Sequence, residues 1–372
     1  MKILFVPNAV SGEGGSIHSL LSVIKAISKE HEKYILLYKR GPILKDLRKL
    51  NVMPVYLDYI RCVVDEGKNV FREMSTEHYN LKQAIKLAEI VKKEKIGLIF
   101  TNDSTTDIGA MAAFISGVGH IWHHREFIYQ HFHKKYIFFQ KELFLKRKSY
   151  CTATSNVLMD ELRTRYGIRK GSVLYNWFDA EKYYMKKRER GTSLQCLIAG
   201  YMYEDKHQLE AIEAWDIIIN NYGVPAYLEI IGVGSPEYIV KLKQKIAEKS
   251  LDCWVSIRNY VENITEVRKG KNVEISCSRW EGFGRNIIEA MMGGLFVVGA
   301  ESGATAELIQ SGDTGLLYKP GDCEDLANKI LWIWNNFDQA DEIISKGQDY
   351  ALRSFSEMKG KDRLLSIIGE FS

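Results

Sequence analysis

The sequence predicts an α/β protein built from two doubly wound, Rossmann-like domains, and three observations carry that expectation. At 372 residues the chain exceeds one ordinary hydrophobic core. Short β-branched and apolar runs alternate with helical patterns, the mark of parallel strands joined by crossover helices. After a polar, charged stretch near residues 186–191 the alternation starts again, so a boundary falls there.

Residues 2–7 form the first buried run, residues 11–16 a glycine loop, and Ile17, Leu20, Leu21, Ile24 and Ile27 recur at helical spacing. Gly12, Gly14 and Gly15 do not spell the dinucleotide fingerprint, and no acidic residue follows at the distance a nicotinamide ribose requires. Runs at 34–38, 53–57, 98–101 and 119–122 continue the alternation, with a helical pattern over 81–93. Two of these runs end in polar residues, 102–106 and His123-His124-Arg125-Glu126. Carboxyl ends of parallel strands line ligand sites in such sheets, so both ends are candidates. Residues 150–153 and 172–175 close the half, with Ser155 and Asn156 capping the helix between them.

The second half begins with a strand at 195–199, the Gly200 turn and a helix over 208–219. A strand at 226–231, Gly232-Val-Gly234 and a helix through Ala247 follow. Its densest stretch runs from Ser278 to Leu317. The short run 273–276 delivers its end to Gly282-Phe283-Gly284, and Arg285, Asn286, Ile287 and Ile288 open a helix. Helix starts hold phosphate and sugar oxygens through their N–H groups. Glu281 and Glu289 flank that turn with seven residues between them, and can rim one pocket although they do not share a helix face. Carboxylates accept paired hydrogen bonds from vicinal hydroxyls, which suits a ribose and a hexose.

This Glu-x7-Glu pattern, followed by an apolar strand, a Gly303-x-x-x-Glu307 turn and Thr314-Gly-Leu-Leu317, resembles the signature of the retaining nucleotide-sugar glycosyltransferases of family 4. The resemblance implies the GT-B fold, in which two Rossmann-like domains face each other across a cleft. Residues 1–178 would form the acceptor domain and 179–355 the donor domain, with a terminal helix over 356–372 packing back on the first. It implies that Glu281 holds sugar hydroxyls, Glu289 the ribose, and Gly282, Phe283, Gly284 and Asn286 the donor. Gly14 and Gly15 would lie against donor phosphates, the alternative being a plain tight turn. His123 or Arg125 would stand near the reacting sugar, with His124 and Glu126 on the acceptor side.

Lys206 matches the family's diphosphate lysine, but Tyr201 stands where an arginine is expected. Either Arg285 supplies the missing cation, or the pocket no longer turns over a charged donor. No two aspartates occur at Asp-x-Asp spacing, so the leaving diphosphate is expected to be stabilised without metal or other cofactor. The expected reaction moves a hexosyl unit, retaining its configuration, from a nucleotide-diphosphate sugar, UDP above all, to a glycan or lipid-linked hydroxyl. An inactive subunit that binds a partner, and an epimerase or hydrolase, are the alternatives.

Lys plus Arg number 51 against 47 for Asp plus Glu, and a net charge of +4 gives no basis for nucleic-acid binding. The six scattered cysteines read as buried, reduced thiols. No run is long enough for a membrane span or a signal-peptide core, so a cytoplasmic protein is expected, with peripheral membrane contact at most. Residues 127–150 interleave aromatic and basic side chains. They fit either an anionic membrane surface or a core helix with a solvated basic edge.

Overall fold

In the computed structural model, residues 1–7, 15–28, 30–65, 70–130, 133–186 and 191–371 are described. They form two compact units, one of residues 1–177 with 358–372 and one of residues 178–357.

The first unit holds a seven-stranded sheet in the order Val52–Tyr56, Glu32–Leu37, Lys2–Val6, Leu98–Thr101, Gly119–His124, Tyr150–Ala153, Gly171–Val173. All its pairings are parallel. Ile3 and Phe5 point to one face and Leu4 and Val6 to the other, so the first strand feeds two separate cores and is apolar at every position. The terminal helix Glu357–Gly369 adds Leu364, Ile367 and Ile368 to one of them. Ser155 caps the helix Asn156–Tyr166, its side chain accepting from the Leu158 N–H.

The second unit has a six-stranded sheet, Val255–Asn259, Ala226–Gly232, Leu194–Ala199, Val273–Ser276, Phe296–Ala300, Leu316–Tyr318, again with parallel pairings. The helix expected to reach residue 219 is α-helical over Gln208–Asp216 and continues as a π turn, Ile217–Asn221. In each sheet the chain moves outward to one side and then returns to the other. The reversal in the second sheet falls between Leu194–Ala199 and Val273–Ser276, and this is where ligands bind in open α/β sheets.

Two expectations are corrected. Cys62, Cys151, Cys196 and Cys277 are buried, but Cys253 is exposed and Cys323 half-buried; all six are free thiols. Residues 134–136 of the aromatic and basic stretch form a strand, Lys134–Tyr136, antiparallel to Val63–Asp65, before the helix Phe139–Lys148. Two of its cations turn inward, while Arg147 and Lys148 stay exposed. Lys146 is fully buried, 3.9 Å from the Trp122 ring centroid and 3.6 Å from Glu142. Lys141 pairs with Asp107 and, at 2.6 Å, with Glu77.

Candidate active site

Lys206 follows the strand Leu194–Ala199 and Glu281 follows Val273–Ser276, so sheet order alone brings them to the switch point. The Lys206 ammonium meets Glu281 Oε1 at 2.5 Å and Ser278 Oγ at 3.3 Å. A backbone link sets Glu281: its carbonyl accepts from Ala304 N–H at 3.0 Å, where Gly303 turns with φ +53°. A Cβ at Gly303 would stand 3.0 Å from the Glu281 backbone N and O, so only glycine allows this approach.

Gly284 takes φ +88° and starts the helix Arg285–Met292, whose Ile287, Ile288, Met291 and Met292 are buried. That buried face turns Arg285 and Glu289, four residues apart, onto a common side. Arg285 Nη2 donates to Glu289 Oε1 at 3.2 Å, and its guanidinium lies 4.4 Å from the Phe178 ring centroid. Glu289 Oε2 accepts from Arg268 Nη1 at 2.9 Å. Arg268 also makes a bidentate pair with Glu274, at 2.7 and 2.8 Å. Burial pushes the Glu289 carboxyl up, but Arg268 and Arg285 outweigh it, helped by the Tyr183 hydrogen bond, and hold it below its ordinary value. Burial and Glu289 push the Tyr183 hydroxyl up to about 12.

The structure therefore brings Lys206, Glu281, Arg285 and Glu289 into two ion-paired groups around one glycine turn. Arg268, Glu274, Phe178 and Tyr183 support them and were missed, because their partners lie on separate elements. Tyr201 is exposed, its ring 5.9 Å from Tyr203, and its carbonyl accepts from Gln208. The Asn286 carbonyl accepts from Arg268 at 3.4 Å. The Phe283 ring is buried, stacked 6.2 Å from Phe178 and edge-on to Phe355.

In the first unit, Gly14 lies outside the described residues, and Gly15 opens the helix Gly15–Ala26. Alternation along the strand Gly119–His124 sends His123 and His124 to opposite faces, and Arg125 and Glu126 lie beyond its end, where both backbone N–H groups donate to Ser104 Oγ. His123 is buried with Nδ1 2.8 Å from Thr152 Oγ1, and burial, then Arg125, lowers its pKa far enough to keep it neutral. His124 is buried. It stacks 5.1 Å from Trp122, its pKa also lowered by burial, and its Nε2 has no hydrogen-bond partner among the described residues.

Arg125 bridges the first helix and the stretch after the last strand, with Nη1 donating to Ser19 Oγ at 2.9 Å and Nη2 to Asn176 Oδ1 at 3.1 Å. Glu126 keeps one buried oxygen without a hydrogen-bond partner among the described residues, and burial with the nearby Asp103 charge pushes it up to about 7. Asp103 also keeps such an oxygen and is a further polar group at this end.

Three carboxylates or thiols close enough to share a metal do occur among the described residues, Cys62, Asp107 and Glu142. They lie in the core of the first unit, and Lys141 already pairs with two of them.

Residues 179–350 match the family model "Glycosyl transferases group 1". The chain is 25% identical over 311 residues, 77% of it and 79% of the relative, to the UDP-Gal:alpha-D-GlcNAc-diphosphoundecaprenol alpha-1,3-galactosyltransferase of Escherichia coli. It is 26% identical over 196 residues to the N-acetyl-alpha-D-glucosaminyl L-malate synthase of Bacillus anthracis, spanning about half the length of that relative. Among solved structures, Anabaena Alr3699/HepE in complex with UDP superposes with a TM-score of 0.80 at 20% identity, covering 100% of both chains. A glycosyltransferase from Rickettsia africae gives 0.79 at 21% identity, covering 100% of this chain and 98% of the other. The chain has the fold of these solved structures, GT-B. The stretch that matches the group 1 model is the second unit, the one that holds the Lys206 and Glu289 groups.

Proposed function

We propose that the protein transfers a hexosyl unit from a UDP-sugar to a hydroxyl of a glycan or lipid-linked saccharide, with retention, without metal, and at the cytoplasmic face of a membrane, as a family 4 enzyme. The observation that carries this reading is the pair of cations, Lys206 and Arg285, set beside Glu281 and Glu289 at the switch point of the second sheet. The E. coli relative named for UDP-Gal and a diphosphoundecaprenol-linked sugar supports the donor and acceptor classes.

The barrier to such a transfer is charge separation, with an oxocarbenium-like sugar forming as negative charge grows on the diphosphate. Preorganised cations at the leaving phosphate lower it. Before the donor arrives Lys206 is held by Glu281; phosphate oxygens would draw the ammonium away and free Glu281 for sugar hydroxyls. Arg285 has five N–H donors, and its bonds to Glu289 leave others of the planar fork for the diphosphate. Glu289 keeps lone pairs for ribose hydroxyls while Arg268 holds its orientation. Glu126, pushed up to about 7 by burial, would lie on the acceptor side.

The test supplies the full chain with isotope-labelled UDP-hexoses and a lipid-linked acceptor. Label moved to the lipid with the anomeric configuration kept supports the reading. UDP-sugar bound without transfer would move the weight to an inactive subunit, and free sugar or an epimer formed without acceptor would move it to a hydrolase or epimerase.

A further inference from the structure

The helix Val70–Lys93 carries two apolar stripes. Ala84, Leu87, Ala88 and Val91 form the expected one and face the core. Phe71, Met74, Leu81 and Ile85 form the other, spaced three, seven and four residues apart, and are 83%, 56%, 45% and 44% exposed. From Phe71 to Ile85 this outer stripe runs about 21 Å along the helix. The neighbouring helices Ile108–Ser116 and Phe139–Lys148 add two more exposed rings, Phe114 and Phe144, packed edge-on at 5.1 Å with Lys148 5.7 Å from the Phe144 centroid.

The charges on this helix are sorted. Its exposed side chains include the basic Arg72, Lys82, Lys86, Lys92 and Lys93 against one acid, Glu89. The other acids turn inward, Glu73 onto Lys135 at 3.5 Å and Glu77 onto Lys141. A second copy of the chain would bring these basic edges against each other. An apolar stripe with basic flanks instead matches a surface that is negative at its headgroups and apolar just below them.

We propose that the outer face of helix Val70–Lys93 docks the protein on an anionic lipid bilayer, lying in the headgroup plane. From residues 127–150 the contact takes only Phe144 and Lys148, since Lys134, Lys135, Lys141 and Lys146 are held in ion pairs. Docking rests on no step of the sugar-transfer reading, and it is measured with no donor present.

The experiment co-sediments the full chain with phosphatidylcholine vesicles, with and without phosphatidylglycerol. Wild type should bind the anionic vesicles and bind neutral ones at least about tenfold more weakly, with salt reversing the difference. A Met74→Ser/Leu81→Ser/Ile85→Ser variant and a Lys82→Glu/Lys86→Glu variant should each lose about tenfold or more in affinity. Both should keep the wild-type circular dichroism spectrum and transfer to a water-soluble acceptor. The charge variant decides alone if the apolar one fails to fold. Equal binding to both vesicle types, unchanged binding by the variants, or a wild-type dimer that the serine variant abolishes while vesicles go unbound would each overturn the proposal.

Discussion

Both units set polar side chains at the carboxyl ends of parallel strands, yet they treat charge in opposite ways. In the second unit the carboxylates around the site each have a cation: Glu281 has Lys206, Glu289 has Arg268 and Arg285, and Glu210 has Arg279 at 2.7 Å. In the first, Asp103 and Glu126 keep oxygens with no hydrogen-bond partner among the described residues, and the histidines stay neutral. The difference teaches where each kind of work is done. Paired charges are preorganised for an anion, whereas at the strand end of the first unit burial pushes Glu126 up to about 7 and lowers both histidines well below their ordinary value.

The contrast breaks first at Lys206. Lys206→Met should lower turnover by on the order of a hundredfold or more, the usual cost of one preorganised donor to a developing oxyanion, in steady-state assays with UDP-hexose. A few-fold loss would mean that the Glu281 pair is only structural. Second comes Arg268, which holds two buried carboxylates without standing for a donor contact. Arg268→Met should cost about 3–5 kcal/mol of stability in urea unfolding, because Glu274 and Glu289 lose their shared partner in the interior. A variant as stable as wild type would show that the network carries little.

The smallest effect lies in the first unit and has the opposite sign. Glu126 binds its proton more tightly folded than unfolded, so its contribution is present below its ordinary pKa and fades as pH rises toward about 7. Glu126→Gln should therefore stabilise the protein at pH 8, by about 1 kcal/mol after allowing for its partial exposure, and change little at pH 5. Thermal melts at both pH values check this, and an alkaline loss of stability in the variant would contradict the assignment.

Much of this was legible in the sequence, and what was not has a physical cause. Strand and helix alternation is local, so the two sheets and the Gly284 turn could be read from periodicity and glycine spacing. Glu281 and Glu289 could be singled out only through the glycines around them and the family resemblance, since their spacing alone fits two solvated surface carboxylates. Arg268 could not, because its short helix, Ile264–Arg268, reads as surface and only tertiary packing takes it 1% exposed into the interior. Lys146 misled for the same reason, since a basic run looks solvated until aromatic rings close over it. The residues 123–126 looked like one polar cluster because sequence adjacency conceals the alternation that sends His124 to the core.

The central claim is that protein cations at the switch point of the second sheet carry the leaving-group charge, with Arg285 making up for Tyr201. The most direct measurement is transfer of label from UDP-hexose in the presence of EDTA by wild type, Arg285→Met, Arg285→Lys and Arg285→Met/Tyr201→Arg. The account predicts wild-type activity undiminished by EDTA, a loss on the order of a hundredfold in the methionine variant, partial activity with lysine, and partial rescue by Tyr201→Arg. Activity lost in EDTA and restored by manganese, or an Arg285→Met variant within a few-fold of wild type, would contradict it.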